Sequence, residues 1–137
     1  MSNPFGILGA ILAGMAVAAG AFGAHILQSI LSADSLRVFE TGVRYHMYHA
    51  LALCLVAIRQ SQLASATFLW SGRFFATGIF LFSGSLYCIS LTDMRWIGIL
   101  TPLGGVTFLA GWSLLAIGEW KYQKSRGQAF EQSISGE

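Results

Sequence analysis

At 137 residues the chain has room for one domain, and its balance of 55% apolar to 10% charged residues lies far from the soluble average of about 25% charged. A formal charge of +2 without a basic face excludes nucleic acid as a partner and leaves the lipid bilayer as the first one.

The first apolar run, Phe5 to Ala24, holds no charged residue and matches the roughly 20 residues an α-helix needs to cross about 30 Å of hydrocarbon. Its lead-in lacks Lys and Arg and its apolar stretch outruns the core of a secretory leader, so a retained span is expected. Gly6, Ala10, Gly14 and Ala18 recur every four residues, as do Ala16, Gly20 and Ala24. In lipid, which is as apolar as leucine, such small-residue ridges let helices approach closely.

The segment Ser29 to Gly42 sets Leu31, Leu36, Val38 and Phe39 against Asp34, Arg37, Glu40 and Thr41. That pattern predicts a short interfacial helix, capped by Asp34 or Ser35, with Glu40 and Arg44 as an i,i+4 pair. The second span, residues 43–60, is less clean. Between Arg44 and Arg59 the apolar stretch covers only about 21 Å at 1.5 Å per residue, so it crosses only if both arginines snorkel.

The third and fourth runs, Phe74 to Leu91 and Trp96 to Gly118, read as spans of adequate length. Gly104, Gly111 and Gly118 recur every seven residues, which suits a left-handed crossing of about +20°. Pro102 cannot donate to the Gly98 carbonyl and predicts a kink in the first third of span four, with Thr101 or a neighbour satisfying the freed group. After Trp120 the polar stretch "KYQKSRGQAFEQSISGE" has no apolar periodicity and is expected to be a disordered tail.

The expected architecture is therefore all-α: a polytopic four-transmembrane-helix bundle over residues 1–120, with spans at about 5–27, 43–60, 74–91 and 96–118, and a tail over 121–137. A closed β-barrel would need many alternating strands, and these runs are continuous. Four spans place Arg59, Arg73, Lys121, Lys124 and Arg126 on one side and Arg37, Arg44 and Arg95 on the other. The positive-inside rule then puts both termini in the cytoplasm.

The same topology gathers His25, Arg37, Glu40, Arg44, Tyr45, His46 and His49 near one end of the bundle, with Asp93 and Arg95. His46 and His49, three residues apart on one helix face, lie within the depth of the hydrocarbon, where ionisable groups are functional candidates by default. Three imidazoles suggest a metal or haem site, but no carboxylate or cysteine triad of recognised spacing accompanies them, so neither metal nor cofactor is expected. A proton or solute pathway would use the histidines as relays beside Glu40. A partner-binding face would use Arg37, Arg44 and the tyrosines. A purely structural reading has the histidines tie span two to span one by hydrogen bonds.

The last two readings dominate: a structural, assembly or interaction component of the membrane, engaging a membrane-protein partner or a second copy. The alternative is a small transporter or proton-coupled channel built on His25, His46 and His49. No catalytic residue is expected. Ser83 and Ser85 in "LFSGSLY" lack a nucleophile elbow, "TPLGG" lacks the lysine of a phosphate loop, and Cys54 and Cys88 sit in apolar runs as small hydrophobes.

Four signatures in order, "GAFGAH", "ETGVRYHMYHALAL", "LFSGSLY" and "TPLGGVTFLAGW", resemble the small four-helix inner-membrane proteins of the YgdD/YwdK type over about residues 5 to 118. The motif positions include Gly20, Gly23, His25, Glu40, Arg44, Tyr45, His46, His49, Ser83, Gly84, Ser85, Tyr87, Pro102, Gly104, Gly105 and Gly111. Ile26 departs from the pattern, standing where a glycine is expected. The resemblance implies four spans in the inner membrane and supplies no activity.

Overall fold

The computed structural model describes residues 4–135, the side chains of residues 130, 133 and 135 excepted, and the regular structure among them is entirely helical. α1 (Pro4–His25) leads through a 3-10 turn (Leu27–Ser29) to α2 (Ala33–Gln62). α3 (Ala66–Gly78) and α4 (Gly84–Thr92) form one rod joined by a π turn (Ile79–Ser83), and a 3-10 segment (Arg95–Ile99) opens α5 (Leu100–Ser135). Three stretches, Pro4–Ser29, Ala66–Thr92 and Arg95–Ala129, are long and apolar enough to cross a membrane.

α2 starts where Ser32 accepts a hydrogen bond from the Ser35 N–H, and it runs unbroken to Gln62. The segment expected as a separate interfacial helix is thus the first turns of α2. No Gly–Pro break follows it, and Phe39 and Gly42 already face inward. The reversal into α3 is capped by Ser65, which accepts from the Thr67 N–H. The reversal into α5 turns on Asp93, whose φ of 55° is the left-handed conformation that Asp tolerates better than most residues.

Pro102 falls in the first turn of α5, directly after the 3-10 segment. A missing N–H costs little there, so a change of helical pitch at the helix start takes the place of the expected kink. Thr101, expected to satisfy a freed backbone group, instead meets the Ser85 hydroxyl at 2.7 Å and ties α5 to α4. α5 also continues as helix through 121–135, the stretch expected to be a disordered tail; residues 136 and 137 lie outside the described residues. Lys, Gln, Glu, Arg and Ala are good helix formers, and they extend the helix with little tertiary support.

Packing follows one rule. Along α5, Gly104, Gly111 and Gly118 face Phe82, Phe75 and Phe68 in that order, so each seven-residue step forward is matched by one back along the α3–α4 rod. A Cβ would fall 2.7 Å from the Phe75 ring at Gly111 and 2.5 Å from the Phe68 ring at Gly118. Gly78 reverses the roles and receives Phe108, while Gly42 receives Tyr87 and Gly72 receives Phe5.

α1 lies antiparallel to α2 along its length, with Gly6 opposite Ala57, Gly9 opposite Cys54, Gly20 opposite Val43 and Gly23 opposite Phe39. The contact row runs through Gly9, Ala16 and Gly23, all buried; Gly14, expected in a packing ridge, faces outward with nothing within 4 Å of its Cβ position. α2 is the central helix, and its Ala50, Leu53 and Val56 are fully enclosed with Phe68 and Phe75 in the core.

Gly111→Ala is expected to destabilise the protein by about 1–3 kcal/mol, the usual cost of forcing a methyl group into a filled core. Gly14→Ala, a helix-favouring change in open space, leaves stability unchanged or slightly raised. Unfolding of the purified protein in mixed detergent micelles measures both. Equal behaviour of the two variants would refute the ring-on-glycine contacts.

Candidate functional site

The residues expected as one polar cluster separate into two groups. His25, Arg37, Glu40 and Arg44 are exposed at the rim, where Arg37 pairs with Asp34 and Arg44 donates to the Thr41 hydroxyl at 3.3 Å. His46 and His49 are buried, at 4% and 5% exposure. His49 lies about 18 Å along the helix axis from Arg37 at 1.5 Å per residue. His25, exposed at the end of α1 two residues beyond the Gly23–Phe39 contact, does not join them, and no group of three or more His, Cys, Asp or Glu among the described residues is placed to hold a metal ion.

His49 is fixed from both sides. Its Nδ1–H donates to the Tyr45 carbonyl at 2.7 Å, and its Nε2 accepts from the Trp112 indole N–H at 3.2 Å. Indole only donates and a carbonyl only accepts, so these partners select the neutral Nδ1–H tautomer. The ring lies flat on Phe108, with centroids 3.4 Å apart and planes 6° from parallel, and Phe75 and Tyr45 complete the enclosure. Tyr45 itself is part-exposed and packs on Phe82.

His46 reaches a different helix. Its Nδ1 lies 3.2 Å from the Tyr87 hydroxyl on α4, and its Nε2 has no hydrogen-bond partner among the described residues. The two histidines thus tie α2 to α4 and α5, where hydrogen bonds to span one were expected. α1 is held to α2 by small-residue packing instead.

Trp112, Tyr87 and Phe108 complete this interior, and none of them stands out by spacing in the sequence. Arg59, expected to snorkel, pairs with Glu119 at 2.6 Å, with Tyr122 beneath its guanidinium. Glu119 follows directly on the fourth apolar run, so a carboxylate across from Arg59 is readable only from the helix register. Ser71 donates to the Gly111 carbonyl at 2.8 Å, a further polar tie between α3 and α5 inside the core.

An apolar, entirely helical chain with long spanning stretches and a sparse, internally bonded polar interior is a small polytopic membrane protein. Residues 19–105 match the family described as Protein of unknown function (DUF423). The chain is 50% identical over 117 residues to the UPF0382 membrane protein SSP2132 of Staphylococcus saprophyticus, covering 85% of this chain and 97% of that one. It is 46% identical over 119 residues to the UPF0382 membrane protein YwdK of Bacillus subtilis, covering 86% and 97%. It is 42% identical over 119 residues to the UPF0382 inner membrane protein YgdD of Escherichia coli, covering 86% and 91%. The chain belongs to this family. No solved structure matches it.

Trp112→Phe removes the donor to His49 and is expected to cost about 1 kcal/mol, within the range for interhelical hydrogen bonds in membranes. In a His49→Leu background the same change costs close to nothing. Equal losses in both backgrounds, read by unfolding in detergent, would remove this bond as a helix tie.

Proposed function

We propose that α2 crosses the bilayer beside the other three rods, completing a four-span bundle in the inner membrane with both termini cytoplasmic. The end-to-end pairing of α1 and α2 supports this, because Gly6 and Gly23 meet Ala57 and Phe39 at the two ends of the pair. If α1 spans, residues 39–57 of α2 lie at the same depth. α2 falls short of a spanning composition because Arg37, Glu40 and Arg44 are exposed at its rim end, while His46 and His49 deeper in it face protein, where hydrocarbon does not penalise them.

The chain then acts as a non-catalytic component of the membrane, holding a partner or a second copy. The observation that carries this reading is the commitment of His49 at both ring nitrogens, which ties α2 to α5 and leaves that imidazole no free nitrogen to pass a proton through. The exposed part of α5 beyond Trp120, bearing Lys121, Lys124 and Arg126, supplies a cationic arm for an acidic partner surface.

Single cysteines in a Cys54→Ser, Cys88→Ser background test the topology. Probes at Glu40 and Asp93 are expected to label from one side, and probes at Ala64 and Lys124 from the other; Glu40 and Asp93 on opposite sides removes the fourth span. Affinity purification in mild detergent tests the role. A partner or second copy at fixed stoichiometry, lost when residues 121–137 are removed, is the expected result. Proton flux in proteoliposomes that His49→Gln abolishes would replace this reading with transport.

A further inference from the structure

α1 and α4 flank α2 without closing over it, and between them lies a lateral cleft of about 430 Å³. Its floor is Phe39 and His46 of α2; Met15, Ala19 and Phe22 form one wall, and Tyr87 with Leu91 the other. Since Gly20 faces Val43, His46 lies level with Val17, about 4 Å from the middle of α1 at 1.5 Å per residue. The cleft therefore opens toward lipid rather than water, given the spanning arrangement proposed above.

One polar atom in this wall is unmatched. Among the described residues the Tyr87 hydroxyl has only His46 Nδ1 as a partner. If Nδ1–H donated to the phenol oxygen, the phenol hydrogen and the Nε2 lone pair would both lack partners. If the phenol donates to Nδ1, a single unmatched group is left, the Nε2–H. The second arrangement strands fewer groups, so one hydrogen-bond donor, buried on His46 at the floor of an otherwise apolar cleft, is left unmatched.

We infer that the cleft between α1, α2 and α4 binds a lipid-soluble molecule whose carbonyl oxygen accepts from His46 Nε2–H and whose apolar body lies along Met15, Ala19 and Phe22. A carbonyl oxygen answers this donor without bringing a hydrogen that needs an acceptor of its own. A water needs two to four polar partners, and this lining offers two groups at most. His46 is 4% exposed, so a ligand reaches Nε2 by turning a wall side chain aside, and Met15, unbranched and 55% exposed, is the adaptable one. A quinone ring and the ester of a diacyl lipid both carry this chemistry, on bodies of different shape.

The full chain with 15N-labelled histidine, in lipid nanodiscs, tests this with decylubiquinone and with dioleoylphosphatidylglycerol as separate probes. Saturable binding of decylubiquinone with a shift of the His46 Nε2 resonance assigns a quinone site. A shift that depends only on the phosphatidylglycerol content assigns the ester carbonyl of a lipid. His46→Phe is expected to weaken binding roughly fivefold, the worth of one hydrogen bond. His46→Gln, which keeps an N–H near the same place, restores it to within about twofold. Ala19→Leu fills the cleft without touching His46 and should weaken binding about tenfold or more.

No movement of the His46 resonance with either probe, in protein that retains its helical content, overturns the site. So does binding indifferent to both His46→Phe and Ala19→Leu. Failure of the four-span topology would register separately, in the cysteine labelling pattern.

Discussion

An aromatic ring seated on a glycine is the contact on which this bundle depends. In hydrocarbon no hydrophobic force draws one oily helix to another, so association rests on close packing and on a few polar ties. The rings of Phe68 and Phe75 on Gly118 and Gly111, and the backbone of Phe82 close against Gly104, supply that packing along the interface between α5 and the α3–α4 rod. The heptad step matches on both helices, which sets their register as well as their distance. Tyr87 on Gly42 and Phe5 on Gly72 carry the same device to the contacts of α4 with α2 and of α1 with α3.

That close approach makes the polar interior tolerable in structural terms. Once the helices are locked in register, Trp112 stands opposite His49, Tyr87 opposite His46, Thr101 opposite Ser85, and Ser71 opposite the Gly111 carbonyl. Each bond adds little alone, but each penalises any slip of one helix past another, because a slip would strand buried donors in a medium with no water to replace them. Polar side chains here specify the arrangement that the glycines permit. α2 carries the two imidazoles among them and, as the helix with neighbours on several sides, bonds through them to both α4 and α5.

The helical class, the three long apolar runs and the heptad of glycines in span four are legible because each is a property of one segment at a time. What is not legible depends on pairs of segments. Gly14 fits a small-residue ridge as well as Gly9 does, and only the register shows that Gly9 meets Cys54 while Gly14 meets nothing. The depth of His46 and His49 can be read from their place in the run, but their partners lie 41 and 63 residues away and carry no local mark. A polar pattern suggests that an interfacial helix ends before span two, whereas Arg37, Glu40 and Arg44 simply occupy the outward side of one continuous α2. A phenylalanine heptad opposite the glycine heptad is present in the sequence at Phe68, Phe75 and Phe82. Phenylalanine is too common in a membrane segment for that spacing alone to be distinctive.

The π turn at Ile79–Ser83 divides the third rod into two halves that are clocked independently. Such a turn amounts to one residue more than an α-helix would hold, and one residue is about 100° of rotation. Below it, Phe68 and Phe75 are aimed at α5; above it, Tyr87 is aimed at α2. A uniform helix could not satisfy both bearings, so the single surplus residue acts as a dial between two neighbours. A chain one residue shorter in this turn would swing the phenol of Tyr87 away from His46 while the glycine seats beneath it stayed filled, which makes segment length here as much a determinant of the cleft as any side chain that lines it.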